Sequence, residues 1–125
     1  MSGPLTSVVV VDDDMAVRLA LKRLLCAASF NAEAYGSAED FLASLRQRVP
    51  QCLILDLQMP GTTGLELHSQ LTANNIKIPT IFITAHDTEG IREQCELNGG
   101  AGFLLKPLRR ATLIAAINAA TGEVA

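Results

Sequence analysis

The stretch Thr6-Ser7-Val8-Val9-Val10-Val11-Asp12-Asp13-Asp14 decides the fold. From Thr6 to Val11 the residues are β-branched almost without a break, which suits a strand buried on both faces. The run then stops at three consecutive acids. The same pattern returns three times downstream. Cys52-Leu53-Ile54-Leu55 is wholly apolar and ends at Asp56, Thr80-Ile81-Phe82-Ile83 ends at Thr84, and Phe103-Leu104-Leu105 ends at Lys106.

The segments between these strands read as helices. From Met15 to Ala28, Val17, Leu21, Leu24 and Leu25 recur at helical spacing while Arg18, Lys22 and Arg23 take other positions, the mark of an amphipathic helix. Phe30 to Tyr35 is a weaker second strand. Ser37, with Asp40 three residues on and then Phe41, Leu42 and Leu45, reads as a capped short helix. Leu67 and Leu71 mark a third helix after the loop Leu57 to Gly64. A fourth surrounds Ile91 and Cys95, with Gly90 expected inside it and making it marginal. The turn Gly99-Gly100-Ala101-Gly102 precedes the last strand, and Leu113, Ile114 and Ile117 mark the last helix. Five β-α units thus fill residues 1–125 as a single domain. Strands apolar on both faces need helices on both sides, and right-handed crossovers then give an α/β, doubly wound, five-stranded parallel sheet. Sheets of this kind bind ligands at the carboxyl ends of their strands.

Composition narrows the function. Ten Lys and Arg against thirteen Asp and Glu leave a net charge of -3 with no basic stripe, so direct nucleic-acid binding by this chain is not expected. One Tyr and no Trp leave no stacking platform for bases. Cys26, Cys52 and Cys95 are widely spaced among apolar neighbours and read as reduced core thiols. No run suits a membrane span, and Met1 to Ser7 has neither the basic start nor the apolar run of a secretory leader. The expected location is the cytoplasm.

Asp12 and Asp13 close strand one, Asp56 strand three, Thr84 strand four and Lys106 strand five. Helix capping accounts for one such acid, Asp14 above all. It does not account for three carboxylates gathered at one edge, since two charges about 5 Å apart at an effective dielectric near 20 repel by roughly 3 kcal/mol. A cation is therefore expected, and an oxygen-only pocket suits Mg2+ or Mn2+. One carboxylate could then attack phosphorus, with Lys106 and Thr84 facing the phosphoryl oxygens.

From Val8 to about Ala120 the chain resembles the receiver domains of two-component response regulators, through VVVVDDD, LILDLQMPGTTG, FITA and FLLKP. VDDDMAVRLALKRLL, YGSAEDFL and FITAHD bring it nearest to the nitrogen-fixation, FixJ-like, subgroup. The resemblance implies a flavodoxin-like strand order 2-1-3-4-5. It also implies that Asp56 is the phosphorylation site, with Asp13 a direct metal ligand, Asp12 a ligand largely through water, and the Gln58 backbone carbonyl completing the protein's share of the metal shell. Thr84 would be the switch hydroxyl, Phe103 the aromatic that turns inward, and Lys106 the phosphate-facing lysine with a cis bond to Pro107.

The implied donor is a sensor histidine kinase or phosphotransfer protein. The implied output surface is the face of helix four, strand five and helix five, including Ile91, Arg92, Arg109 and Arg110, with a phosphorylation-dependent homodimer as one outcome. Such a domain is not an enzyme beyond catalysing its own phosphorylation and dephosphorylation. Subgroup members usually carry a LuxR-like helix-turn-helix, so a free-standing regulator and the receiver half of a DNA-binding regulator both remain open, with residues 121–125 as the start of a linker.

Arg109 and Arg110 depart from the family, which often has an Asp cap near that point, and two cations there oppose the helix dipole. A metal-dependent phosphohydrolase using Asp12-Asp13-Asp14 is the rival from the enzyme class, though the chain offers no cap domain. A nucleotide-binding module would need a glycine-rich loop that strand one lacks. His68 reads as surface or helix packing, and His86 lies near the pocket; neither belongs to a spaced zinc-ligand set.

Overall fold

The structure, a computed structural model, describes residues 5–122. Residues 1–4, within the segment read above for a leader, and 123–125, within the segment read as a linker, lie outside the described residues. The order is β1 (Ser7–Val11), α1 (Met15–Ala27), β2 (Asn31–Tyr35), α2 (Ala38–Ser44), β3 (Cys52–Asp56), α3 (Gly64–Ala73), β4 (Thr80–Thr84), α4 (Ile91–Leu97), β5 (Gly102–Leu105) and α5 (Arg110–Thr121). All strand pairs are parallel, in the order β2-β1-β3-β4-β5.

Alternation along the strands sorts the core into two layers. Val8 and Val10, with Cys52, Ile54, Ile81 and Ile83, pack with Leu21 and Leu25 of α1 and Leu113 and Ile117 of α5. Val9 and Val11, with Leu53, Leu55 and Phe82, face Phe41 of α2, Leu67 and Leu71 of α3, and Cys95 of α4. Each such side chain contributes about 1.5–3 kcal/mol on burial, so one or two of them offset the repulsion of an acid pair at the sheet's edge. β2 reads weakly in the sequence because it is an outer strand, with Ala32 its one buried residue.

The helix starts follow local chemistry. Asp14 accepts from the amides of Ala16 and Val17, Ser37 accepts from that of Asp40, and Thr63 and Glu66 form a reciprocal capping box. α5 starts after Arg109 without a side-chain cap.

Two expectations are corrected. Gly90 lies outside α4 as its N-cap, at φ 83°, so the helix is marginal for another reason: it has seven residues and no side-chain cap. Cys26 is exposed on α1, because Leu25 takes the inward position; Cys52 and Cys95 are buried. Burial pushes the Cys52 thiol up to about 12, which suppresses its thiolate. No helix among the described residues is long and apolar enough to cross a membrane.

Candidate functional site

β1 and β3 are neighbours, yet the helices that follow them pack on opposite faces of the sheet, which opens a crevice where the two chains part. Asp12 follows β1 directly and Asp56 is the last residue of β3. Asp13, at the bend after Asp12, is exposed. These three carboxylates each place an oxygen within 4.8 Å of the others.

Asp12 is fully buried. Its amide donates to the Tyr35 carbonyl at 3.1 Å, its own carbonyl accepts from Arg18 Nη1 at 2.8 Å, and Oδ1 accepts from the Asp14 amide at 2.9 Å. Lys106 Nζ lies 2.8 Å from Asp12 Oδ2 and 3.4 Å from Asp56 Oδ2. The first contact is an ion pair without hydrogen-bond alignment, so Asp12 Oδ2 is a buried oxygen without a hydrogen bond. Asp56 Oδ1 accepts from the Gln58 amide at 3.1 Å, and the Gln58 side chain is exposed.

Burial is the main force raising the Asp56 carboxyl to about 6; the Gln58 amide opposes it, Asp12 adds repulsion and Lys106 lowers it again. For Lys106, burial disfavours the charge, but its close pairing with the Asp12 and Asp56 carboxylates outweighs it and holds the ammonium above its ordinary range. One lysine therefore serves two acids, with the third, Asp13, beside them. An oxygen-only set with a buried oxygen lacking a hydrogen bond fits a hard divalent cation.

Thr84 is buried, and its hydroxyl is taken up by the next loop: Oγ1 donates to the His86 carbonyl at 3.2 Å and accepts from the His86 amide at 3.1 Å. His86 thus bears on the site through its backbone. Phe103 is half-buried, with the Arg92 guanidinium 4.5 Å above its ring. A cavity of about 210 Å³ next to Thr84 is bounded by Gln58, Thr63, His86 and Ile91. Arg109 and Arg110 are exposed, and the Lys106–Pro107 peptide is cis.

His68 is buried in α3, edge-on to Phe82 at 5.3 Å, with Nδ1 2.8 Å from Asn98 Nδ2. Gly61 has the positive φ, 78°, that its loop requires, but Gly64 serves a different need from the backbone freedom its residue type suggests. A Cβ at Gly64 would run into the Asp56 carbonyl, so the glycine lets α3 begin against the end of β3. Sequence reading missed Arg18, whose role depends on a carbonyl six residues away. It also missed the exposed Leu97 and Leu105, which carry no motif.

A parallel sheet in this order, with its acids at the β1/β3 parting, defines a domain of the flavodoxin-like class. The response regulator receiver domain family matches residues 8–118, and the chain belongs to that family. Nodulation protein W of Bradyrhizobium diazoefficiens is 39% identical over 91% of this chain and 50% of its own length. The transcriptional regulatory protein FixJ of Azorhizobium caulinodans is 36% identical over 93% and 55%. The crystal structure of FixJ-N superposes with a TM-score of 0.87 at 32% identity, covering 100% of this chain and 98% of that one. The chain spans about half the length of the curated relatives it matches. Receiver domains are the signalling parts of two-component response regulators, and several of these relatives are transcriptional regulators.

Proposed function

We propose that Asp56 accepts a phosphoryl group from the phosphohistidine of a sensor kinase or phosphotransfer protein, and that this event switches the α4/β5/α5 face. Mg2+ or Mn2+ would be held by Asp12, Asp13, Asp56 and the Gln58 backbone carbonyl. The observation that carries the reading is the imbalance at the β1/β3 parting, where three carboxylate oxygens lie within 4.8 Å of one another and, among the described residues, Lys106 pairs with Asp12 and Asp56 but not with Asp13.

A bound divalent ion supplies positive charge that offsets the carboxylates and the incoming phosphoryl oxygens. The other steps belong to the chain. With its carboxyl at about 6, Asp56 is mostly ionised at neutral pH. A carboxylate oxygen attacks phosphorus, the phosphorus–nitrogen bond breaks, and the electron pair leaves with the histidine nitrogen. Lys106 exchanges its Asp12 contact for a phosphoryl oxygen, and the Thr84 hydroxyl exchanges the His86 carbonyl for another. Thr84 vacates space that Phe103 fills, which withdraws the ring from Arg92.

The affected face carries Ile91, Arg92, Arg109 and Arg110, and also Leu97, which is 88% exposed, and Leu105. Its partner is a second copy or an output domain. The second is supported by the doubled length of relatives that are transcriptional regulators, and on this reading the chain is the receiver half of a DNA-binding regulator.

Intact mass measurement after treatment with a small phosphodonor and Mg2+ tests the reading. One added phosphoryl group is expected on the wild type, none on Asp56→Asn, and none when the metal is chelated. Equal labelling of wild type and Asp56→Asn overturns it.

A further inference from the structure

We infer that Arg18 is a positioning residue for the metal ligands: its guanidinium fixes the peptide joining Asp12 to Asp13, and Gly36 provides the space it needs. The inference rests on the metal reading proposed above. Asp12 and Asp13 are consecutive, and in an extended chain consecutive side chains point to opposite sides. Gathering both carboxylates with that of Asp56 within 4.8 Å requires the chain to turn after Asp12. The carbonyl of the Asp12–Asp13 peptide accepts from Arg18 Nη1 at 2.8 Å, so this guanidinium sets the peptide's orientation through a charge-assisted bond.

A second observation comes from the β2–α2 turn. A Cβ on Gly36 would lie 2.8 Å from Arg18 Nη1 and 3.1 Å from its Cζ. Gly36 does not adopt a left-handed φ, so φ alone does not call for glycine; a side chain there would instead push the end of Arg18 away from its place at the Asp12 carbonyl. The residue before it, Tyr35, accepts the Asp12 amide. The turn thus fixes Asp12 twice, directly through a carbonyl and indirectly by leaving room for Arg18. Lysine cannot reproduce this contact fully, because it offers a point charge in place of a planar fork of donors.

The test uses the full chain, with Mn2+ alone as the probe and free Mn2+ followed by electron paramagnetic resonance. Arg18→Gln and Gly36→Ala should each weaken Mn2+ binding by about tenfold, as loss of groups behind metal ligands commonly does. Because both remove the same contact, the double variant should bind no worse than either single one. Arg18→Lys should recover part of the loss, and the slower phosphorylation of Arg18→Gln should be restored by raising the metal concentration. Thermal unfolding without metal separates positioning from folding, and Gly36→Ala answers the question if Arg18→Gln fails to fold. Unchanged affinity in folded Arg18→Gln or Gly36→Ala, or losses that add in the double variant, overturns the inference. A wild type that binds no Mn2+ overturns the metal reading and this inference together, whereas a wild type that binds and variants that match it overturn the positioning role alone.

Discussion

Lys106 stands between two acids, 2.8 Å from Asp12 and 3.4 Å from Asp56, and one ammonium cannot neutralise both. Asp12 has no access to water, so without Lys106 its carboxylate would be buried uncompensated. In metal-free protein, Lys106→Ala should therefore cost about 3 kcal/mol, the low end of the range for removing one partner of a buried pair, since Lys106 is itself partly exposed. Asp13 is exposed, and Asp13→Asn should shift metal-free stability by no more than a few tenths of a kcal/mol, upward, as mutual repulsion falls. Urea unfolding in the presence of a chelator checks both, and added Mg2+ should raise the wild-type midpoint by binding the folded state. The sequence made the residues of this site legible because each ends a recognisable apolar run. Their pairing was not legible: Asp12 is fixed by groups from β2, α1 and the residue after β5, and no local pattern encodes such contacts.

α4 is anchored at one end only. At its start, Gly90 supplies a left-handed turn and no capping side chain. At its end, Asn98 donates to His68 Nδ1 at 2.8 Å and accepts from Ser69 Oγ at 3.2 Å, which ties the helix to α3. A Cβ on Gly90 would meet nothing within 4 Å, so Gly90→Ala should cost about 1 kcal/mol through backbone strain alone, measurable as a lower urea midpoint. The anchored end should respond to pH. Burial lowers the pKa of His68, so below its ordinary value near 6.5 the unfolded chain binds a proton that the folded chain resists. The stability from neutral His68 is present above about pH 6.5 and is lost as pH falls below it. Protonation would also set an imidazole donor against the Asn98 amide. Urea midpoints between about pH 7.5 and 5.5 should fall for the wild type, and His68→Gln should flatten that part of the slope. Helical spacing located α4, but Gly90 alone does not reveal whether it interrupts a helix or starts one, and Cys26 shows that apolar neighbours do not fix which way a helical residue faces.

On the scale of the whole molecule, the strand order separates the site from the surface that would report on it. Alternating strands and helices dictate a parallel sheet but not its order; the family resemblance supplied 2-1-3-4-5, and the half-buried strands β2 and β5 are the physical trace of its two edges. Asp56 ends the central strand β3, β4 lies beside it with Thr84 at its end, and β5 with Phe103 forms the outer strand next to α4 and α5. A change at Asp56 thus has one neighbouring strand to cross before it reaches the edge. On the proposed reading Thr84 is the moving part of that route, because among the described residues its hydroxyl bonds the backbone of His86 alone and can exchange those bonds for a phosphoryl oxygen. Phe103 is half-buried, with the Arg92 guanidinium over its ring, so its ring is not locked in the core. Beryllofluoride with Mg2+, as a phosphoryl mimic, should therefore shift the amide resonances of residues 84–110 more than those of α1 and α2, and should raise the sedimentation coefficient at high protein concentration if the exposed face around Leu97 and Leu105 pairs with a second copy. Thr84→Ala should still bind the mimic but leave the resonances of β5 and α4 where they were. Shifts confined to the neighbours of Asp56, or an identical response from Thr84→Ala, would sink the route through β4, while a normal amide response without a change in sedimentation would assign the face to an output domain.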